Sequence, residues 1–154
     1  MHTLHFISHT HWDREWHEPF QVFRIRLAKA INLALDILAR DRNYKYFMLD
    51  GQTIVLEDLL ELDPAREAEL RAHIQSGRVL VGPWYVLPDE FLVSGEAIIR
   101  NLLRGRRIAE AWGKCMQIGY VPDPFGHISQ LPQILGGFGI NVAMFRRGLS
   151  DEPT

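Results

Sequence analysis

His9, His11 and Asp13 fall at every second position of the stretch Leu4-His5-Phe6-Ile7-Ser8-His9-Thr10-His11-Trp12-Asp13. In a strand such positions share a face, so two imidazoles and a carboxylate can converge at one strand end. Nitrogen and carboxylate oxygen donors suit a borderline-soft divalent ion such as zinc. Arg14, Glu15 and Trp16 follow at once, a dense run of polar and aromatic groups for a strand-to-helix turn. The plainer reading is a polar turn rich in histidine, for the chain carries 7 His, and a His-x-His pair alone does not decide between the two. A second group lies far down the chain, where Asp123 stands between Pro122 and Pro124. Pro124 biases the aspartate toward extended geometry and Pro122 limits the backbone before it, giving a rigid mount for a carboxylate. Alone, Pro-Asp-Pro also reads as a turn in which Asp is a local acceptor. Beside the first group, it supplies a third ligand from another strand end.

These residues need elements to position them. Phe20 to Ala39 reads as an amphipathic helix, with Phe20, Phe23, Leu27, Ile31, Ala34, Leu35 and Leu38 on one stripe. Tyr44 to Leu49 reads as a strand stopped by Asp50-Gly51. A helical region from Thr53 to Leu62 restarts at Asp63-Pro64, an N-cap followed by proline, and closes at Ser76-Gly77. Arg78 to Val81 is the next strand. A helix capped by Ser94 then runs to Trp112-Gly113, with Ile98, Ile99, Leu102, Leu103, Ala109 and Trp112 as its buried stripe. Met116 to Val121 forms a strand ending at Asp123, Leu131 to Gly136 a short helix, and Asn141 to Phe145 a last strand ending at Arg146-Arg147. The alternation predicts an α/β fold of repeated βα units with a parallel sheet, whose strand C-terminal ends share the ligand-binding edge. The polar clusters all follow strands. Five strands are too few for a closed barrel, which typically needs ~250 residues, and no helix follows the fifth strand before Ser150-Asp151-Glu152-Pro153-Thr154. The expectation is therefore a single domain, residues 1–154, that is the front part of a longer protein.

Composition narrows the partners. With 154 residues, 47% hydrophobic and a formal net charge of -2, the chain offers no basic footprint for nucleic acid or an anionic membrane. Its single Cys115 excludes an intrachain disulfide. No signal peptide and no apolar run of membrane-spanning length is visible, so a soluble cytoplasmic protein is expected. Homo-oligomerisation is left open.

Three ordered motifs carry a resemblance. His9-Thr10-His11-Trp12-Asp13, then Gly82-Pro83-Trp84 with Pro88-Asp89-Glu90, then Pro122-Asp123-Pro124-Phe125-Gly126-His127 resemble the glycoside hydrolase family 38 α-mannosidases. Tyr44 to Gln52 and Asn101-Leu102-Leu103 are most similar to the bacterial branch, which includes enzymes acting on mannosyl-glycerate and on mannosides. The resemblance implies the first part of a parallel (β/α)7-type barrel, truncated after about five strands, and a retaining α-mannosidase that uses one Zn2+ per site. It matches His11 and Asp13 to zinc ligands, and Asp123 to a residue that is both zinc ligand and nucleophile. Trp16 matches an aromatic platform under the sugar, and Phe125 lies in the same pocket. Asp89 lies in a motif close to the site. His9 matches no ligand and is expected to stand behind the ligands. The acid/base carboxylate and a fourth ligand, a histidine, come from later in such chains, so neither Asp89 nor Glu90 is given that role and the chain alone is expected to be inactive.

The chemistry is coherent: a retaining glycosidase needs a nucleophilic and an acid/base carboxyl about 5 to 5.5 Å apart. A metal can hold the cis 2- and 3-hydroxyls of mannose, and an aromatic ring can cover one sugar face. Arg146 and Arg147 read as a solvated pair, with contact to an anionic aglycone as the alternative. Two other functions compete. A metal-dependent amidohydrolase or deacetylase also places His-x-His after a first strand, but it wants histidines or a lysine at later strand ends, where this chain has Asp50-Gly51, Gly82-Pro83-Trp84 and Pro-Asp-Pro. A non-catalytic sugar-binding α/β module would keep the aromatics without converging His11, Asp13 and Asp123.

Overall fold

A computed structural model describes residues 2–149; the chain end at Ser150 to Thr154 lies outside the described residues. Helix α1, Phe20–Arg40, buries Leu27, Ile31, Ala34, Leu35 and Leu38, the expected stripe less its two phenylalanines. Helix α2 spans Ile54–Leu60, a 3-10 turn covers Pro64–Arg66, and α3 spans Glu67–Gln75. Asp63 does not cap the restart as expected. Its Oδ2 instead accepts from the Asn32 side-chain amide at 2.9 Å, which ties α1 to the turn. Helix α4, Gly95–Trp112, is capped as its sequence requires: Ser94 Oγ accepts from the Ala97 N–H at 3.2 Å. Helix α5 is Leu131–Gly137.

The strands are shorter than their apolar runs. β1 (Phe47–Met48) pairs in parallel with β2 (Val79–Leu80), and β3 (Gly119–Tyr120) with β4 (Ala143–Met144). Backbone bonds extend each ladder past its core, from Leu49 N–H to Leu80 at 2.9 Å and from Val121 N–H to Met144 at 2.9 Å. Between the pairs, Met116 N–H donates to the Val81 carbonyl at 2.9 Å, so neighbours in space follow chain order. The expected first strand is reduced to one bridge. Met48 N–H donates to Ser8 and Thr10 N–H to Met48, while Leu4, Phe6 and Ile7 remain exposed with no ladder among the described residues. A single pairing edge without a covering face holds only the residues opposite Met48. The result is an α/β arrangement of short parallel strands; the described residues do not close a barrel.

Three apolar clusters hold it together, the smallest made of Met48, Met116 and Tyr120. Leu27, Ile31 and Leu35 of α1 pack with Leu56 and Leu59 of α2, Leu70 and Ile74 of α3, and Val79 and Val81 beneath them. Trp84, Ile98, Leu102, Val121, Leu131 and Leu135 form the second cluster. The buried face of α4 departs from expectation, because Leu103 is 50% exposed and Ile99 is only partly buried, while Gly105 is buried. A Cβ on Gly105 would stand 2.2 Å from the Trp84 carbonyl carbon, so the helix backbone lies directly on the loop after β2. Asn101, one turn earlier, holds that loop through bonds to Tyr85 N–H and Val86 N–H and from its amide to the Val86 carbonyl.

Candidate active site

The loops that leave the strand C-terminal ends carry the site. The loop after the first bridge is pinned by buried polar groups from its neighbours. Trp12 N–H donates to Asp50 Oδ2 at 2.6 Å, and the Gln52 amide donates to the Trp12 carbonyl at 2.9 Å and to Asp50 Oδ2 at 2.8 Å. Gln52 Oε1 accepts from Leu87 N–H, which draws in the loop after β2. Arg14 forks onto buried Asp58 of α2, with bonds of 2.7 and 2.8 Å. A bidentate arginine of this kind fixes direction as well as distance.

On that support, His11 faces three carboxylates. Its Nδ1 lies 3.3 Å from Asp50 Oδ1, and its Nε2 lies 3.8 Å from Asp13 Oδ2 and 3.6 Å from Asp123 Oδ2. The Asp50 hydrogen bond chiefly raises the His11 pKa, partial burial opposes it, and the charges of Asp50, Asp13 and Asp123 add to the rise. Among the described residues, no group of three or more His, Cys, Asp or Glu side chains is arranged to hold a metal ion. The two His11 edges, 3.6 and 3.8 Å, are longer than the ~3.4 Å between ligand atoms of a tetrahedral ion with ~2.0–2.1 Å bonds. The donor set, one imidazole nitrogen and two carboxylates, fits zinc chemistry. His11 Nε2 thus lies near both Asp13 and Asp123, which come from two separate strand ends, without the three forming a metal-holding group.

The other expected residues line the same open cavity of about 470 Å³, namely Trp16, Asp89 and Phe125. Trp16 is 72% and Phe125 74% exposed, so both rings are largely open to solvent. His9 does not join the cluster. Its Nδ1 turns to the Thr10 carbonyl at 2.8 Å and its ring meets Tyr120 edge-on, because strand geometry ends at Thr10 and the two-residue alternation ends with it. Arg147 corrects the reading of a solvated pair. Its Nε and Nη2 donate to the Asp123 carbonyl at 2.9 and 2.7 Å, Nε stands 3.1 Å from Asp123 Oδ1, and the guanidinium lies over the Phe125 ring. Glu90 is buried and committed to structure, accepting from Ile128 N–H at 2.9 Å and meeting His127 Nδ1 at 2.7 Å. The residues that sequence reasoning missed are Asp50 and Gln52. Their one signal was position: Asp50-Gly51 ends a strand at the same edge as His11.

Comparison with known proteins identifies the family of the chain. The family profile described as the glycosyl hydrolases family 38 N-terminal domain matches residues 1–149. A Halalkalibacterium halodurans protein, provisionally named a mannosylglycerate hydrolase, is 50% identical over 149 residues, which is 96% of this chain and 17% of the relative. Alpha-mannosidase 2C1 of Mus musculus is 33% identical over 141 residues, covering 90% of this chain and 13% of its own. The crystal structure of an alpha-mannosidase from Enterococcus faecalis V583 superposes with a TM-score of 0.89 at 39% identity, over 90% of this chain and 16% of that one. The chain therefore spans under a fifth of the length of these relatives. It belongs to glycosyl hydrolase family 38, and the part of that family it represents is the N-terminal domain.

Proposed function

We propose that this chain is the N-terminal part of a zinc-dependent retaining α-mannosidase that hydrolyses terminal α-mannosyl residues, of mannosides or mannosyl-glycerate-like substrates. The observation that carries the reading is the meeting of Asp123 and Asp13 on His11 Nε2, at 3.6 and 3.8 Å, in a cavity walled by the exposed rings of Trp16 and Phe125. His11, Asp13 and Asp123 would hold the ion, which would supply Lewis-acid contact to the sugar hydroxyls and charge stabilisation. Asp123 attacks the anomeric carbon as the bond to the aglycone oxygen breaks and the acid/base carboxyl protonates the departing aglycone. Water, deprotonated by that same carboxyl, then cleaves the covalent glycosyl-enzyme ester, releasing the sugar and restoring the Asp123 carboxylate. Arg147, on both the Asp123 carbonyl and its carboxylate, restricts the rotamers of the nucleophile. Trp16 and Phe125 cover apolar sugar faces, and Asp89 at the rim takes a hydroxyl. The acid/base and one further ligand come from chain beyond this domain, and the five strand segments are the first five of a (β/α)7 barrel. The enzyme works in the cytoplasm.

The test is hydrolysis of an aryl α-mannoside by the full-length protein, before and after chelation and on return of zinc. Activity lost with the metal and restored by zinc is the expected result. Hydrolysis that survives complete metal removal contradicts the metal-assisted mechanism, and no hydrolysis of any α-mannoside contradicts the substrate class.

A further inference from the structure

We propose that Asp50 is a positioning residue that decides which ring nitrogen of His11 is free to ligate metal. The inference rests on the metal-assisted reading above, which gives Asp50 no role. Asp50 is fully buried, and among the described residues it is the one non-glycine with a left-handed backbone, at φ 51. Aspartate and asparagine tolerate that region better than other side chains. Oδ2 is occupied by two donors, Trp12 N–H at 2.6 Å and the Gln52 amide at 2.8 Å, which fixes the carboxylate plane. Oδ1 is left facing His11 Nδ1 at 3.3 Å. An ionised carboxylate only accepts, so in the neutral imidazole the hydrogen resides on Nδ1 and the Nε2 lone pair is aimed at the space between Asp13 and Asp123. A carboxylate behind a ligating histidine orients the ring and raises its basicity, and losing such a partner typically weakens metal binding ~10–100-fold.

Asp50→Asn reverses the donor at one atom. The asparagine oxygen can keep the Trp12 and Gln52 bonds, while its amide nitrogen faces His11 Nδ1 as a donor and drives the ring hydrogen to Nε2. Zinc affinity of the full-length protein, measured by competition with a chromophoric chelator, is expected to fall ~10–100-fold in Asp50→Asn, with the thermal midpoint of the metal-free protein preserved. Asp50→Gly, which suits the positive φ, is expected to lose affinity similarly and to recover it with added formate but not formamide. His11→Ala is the control for the reading beneath. If the native protein binds no zinc, or His11→Ala binds it as well as the native protein does, the metal site itself is refuted. If His11→Ala loses zinc but Asp50→Asn stays within about twofold of the native protein, the positioning role alone is overturned. Failure of formate to restore Asp50→Gly overturns it as well, leaving Asp50 a purely structural group.

Discussion

Asp123 meets two conditions that a glycosidase nucleophile needs: a fixed backbone and charge-complementary neighbours. Its carbonyl is gripped by Arg147, and its carboxylate lies between that guanidinium and His11. Asp123→Asn should lower kcat on an aryl α-mannoside by at least ~10³-fold with an unchanged circular dichroism spectrum, since it removes the attacking group and leaves the fold. Trp16 is a different case, for it is mostly exposed and supports no core. Trp16→Ala should raise KM ~3–10-fold, the scale of one aromatic contact, without moving the thermal midpoint. Cys115 tests burial: desolvation pushes its thiol up to about 11, so it is protonated at pH 8 in the native protein. Its alkylation by iodoacetamide should be at least ~10-fold slower than in the urea-unfolded chain; equal rates would contradict that burial. At this scale the nearness of His11 to Asp13 and Asp123 was legible because they are distinctive types at strand ends. Asp50 and Gln52 were not legible, since their roles come from partners 35 to 40 positions away.

Helices α1 and α4 were read almost to the residue, because each carries a 3.6-residue stripe and α4 also carries the Ser94 cap and the Gly113 stop. Strands were overextended for a physical reason. An apolar run marks what is buried, whereas a ladder needs a backbone partner on its edge, and here that partner is two residues long. The turning of His9 to the Thr10 carbonyl follows from this, since side-chain alternation holds only while the strand does. Gly105 was invisible as a contact because the sequence shows a glycine in a helix and not the Trp84 backbone against it. Gly105→Ala should destabilise the chain by roughly 2–3 kcal/mol in urea unfolding, well beyond the small gain expected from helix propensity. A neutral or stabilising effect would show that α4 does not lie on this loop.

As a whole, the molecule leaves apolar surface uncovered along both flanks of its strand array. Leu4, Phe6 and Ile7 are exposed beside the first bridge, and Val142, Met144 and Phe145 beside the last strand. No helix among the described residues is long and apolar enough to cross a membrane. Contiguous exposed apolar groups on unpaired strand edges favour association. The 154-residue chain produced alone should therefore bind a hydrophobic dye and self-associate on size exclusion, whereas the full-length protein should do neither. A monomeric, dye-silent isolated chain would argue against further strands covering these edges. The central claim remains that Asp123 is the nucleophile of a retaining α-mannosidase, and covalent trapping tests it most directly. The full-length protein would be treated with an activated fluorosugar of the mannose series, digested and mapped by mass spectrometry. The expected result is one mannosyl adduct on the peptide bearing Asp123; an adduct on another carboxylate, or turnover with inversion and no adduct, would contradict it.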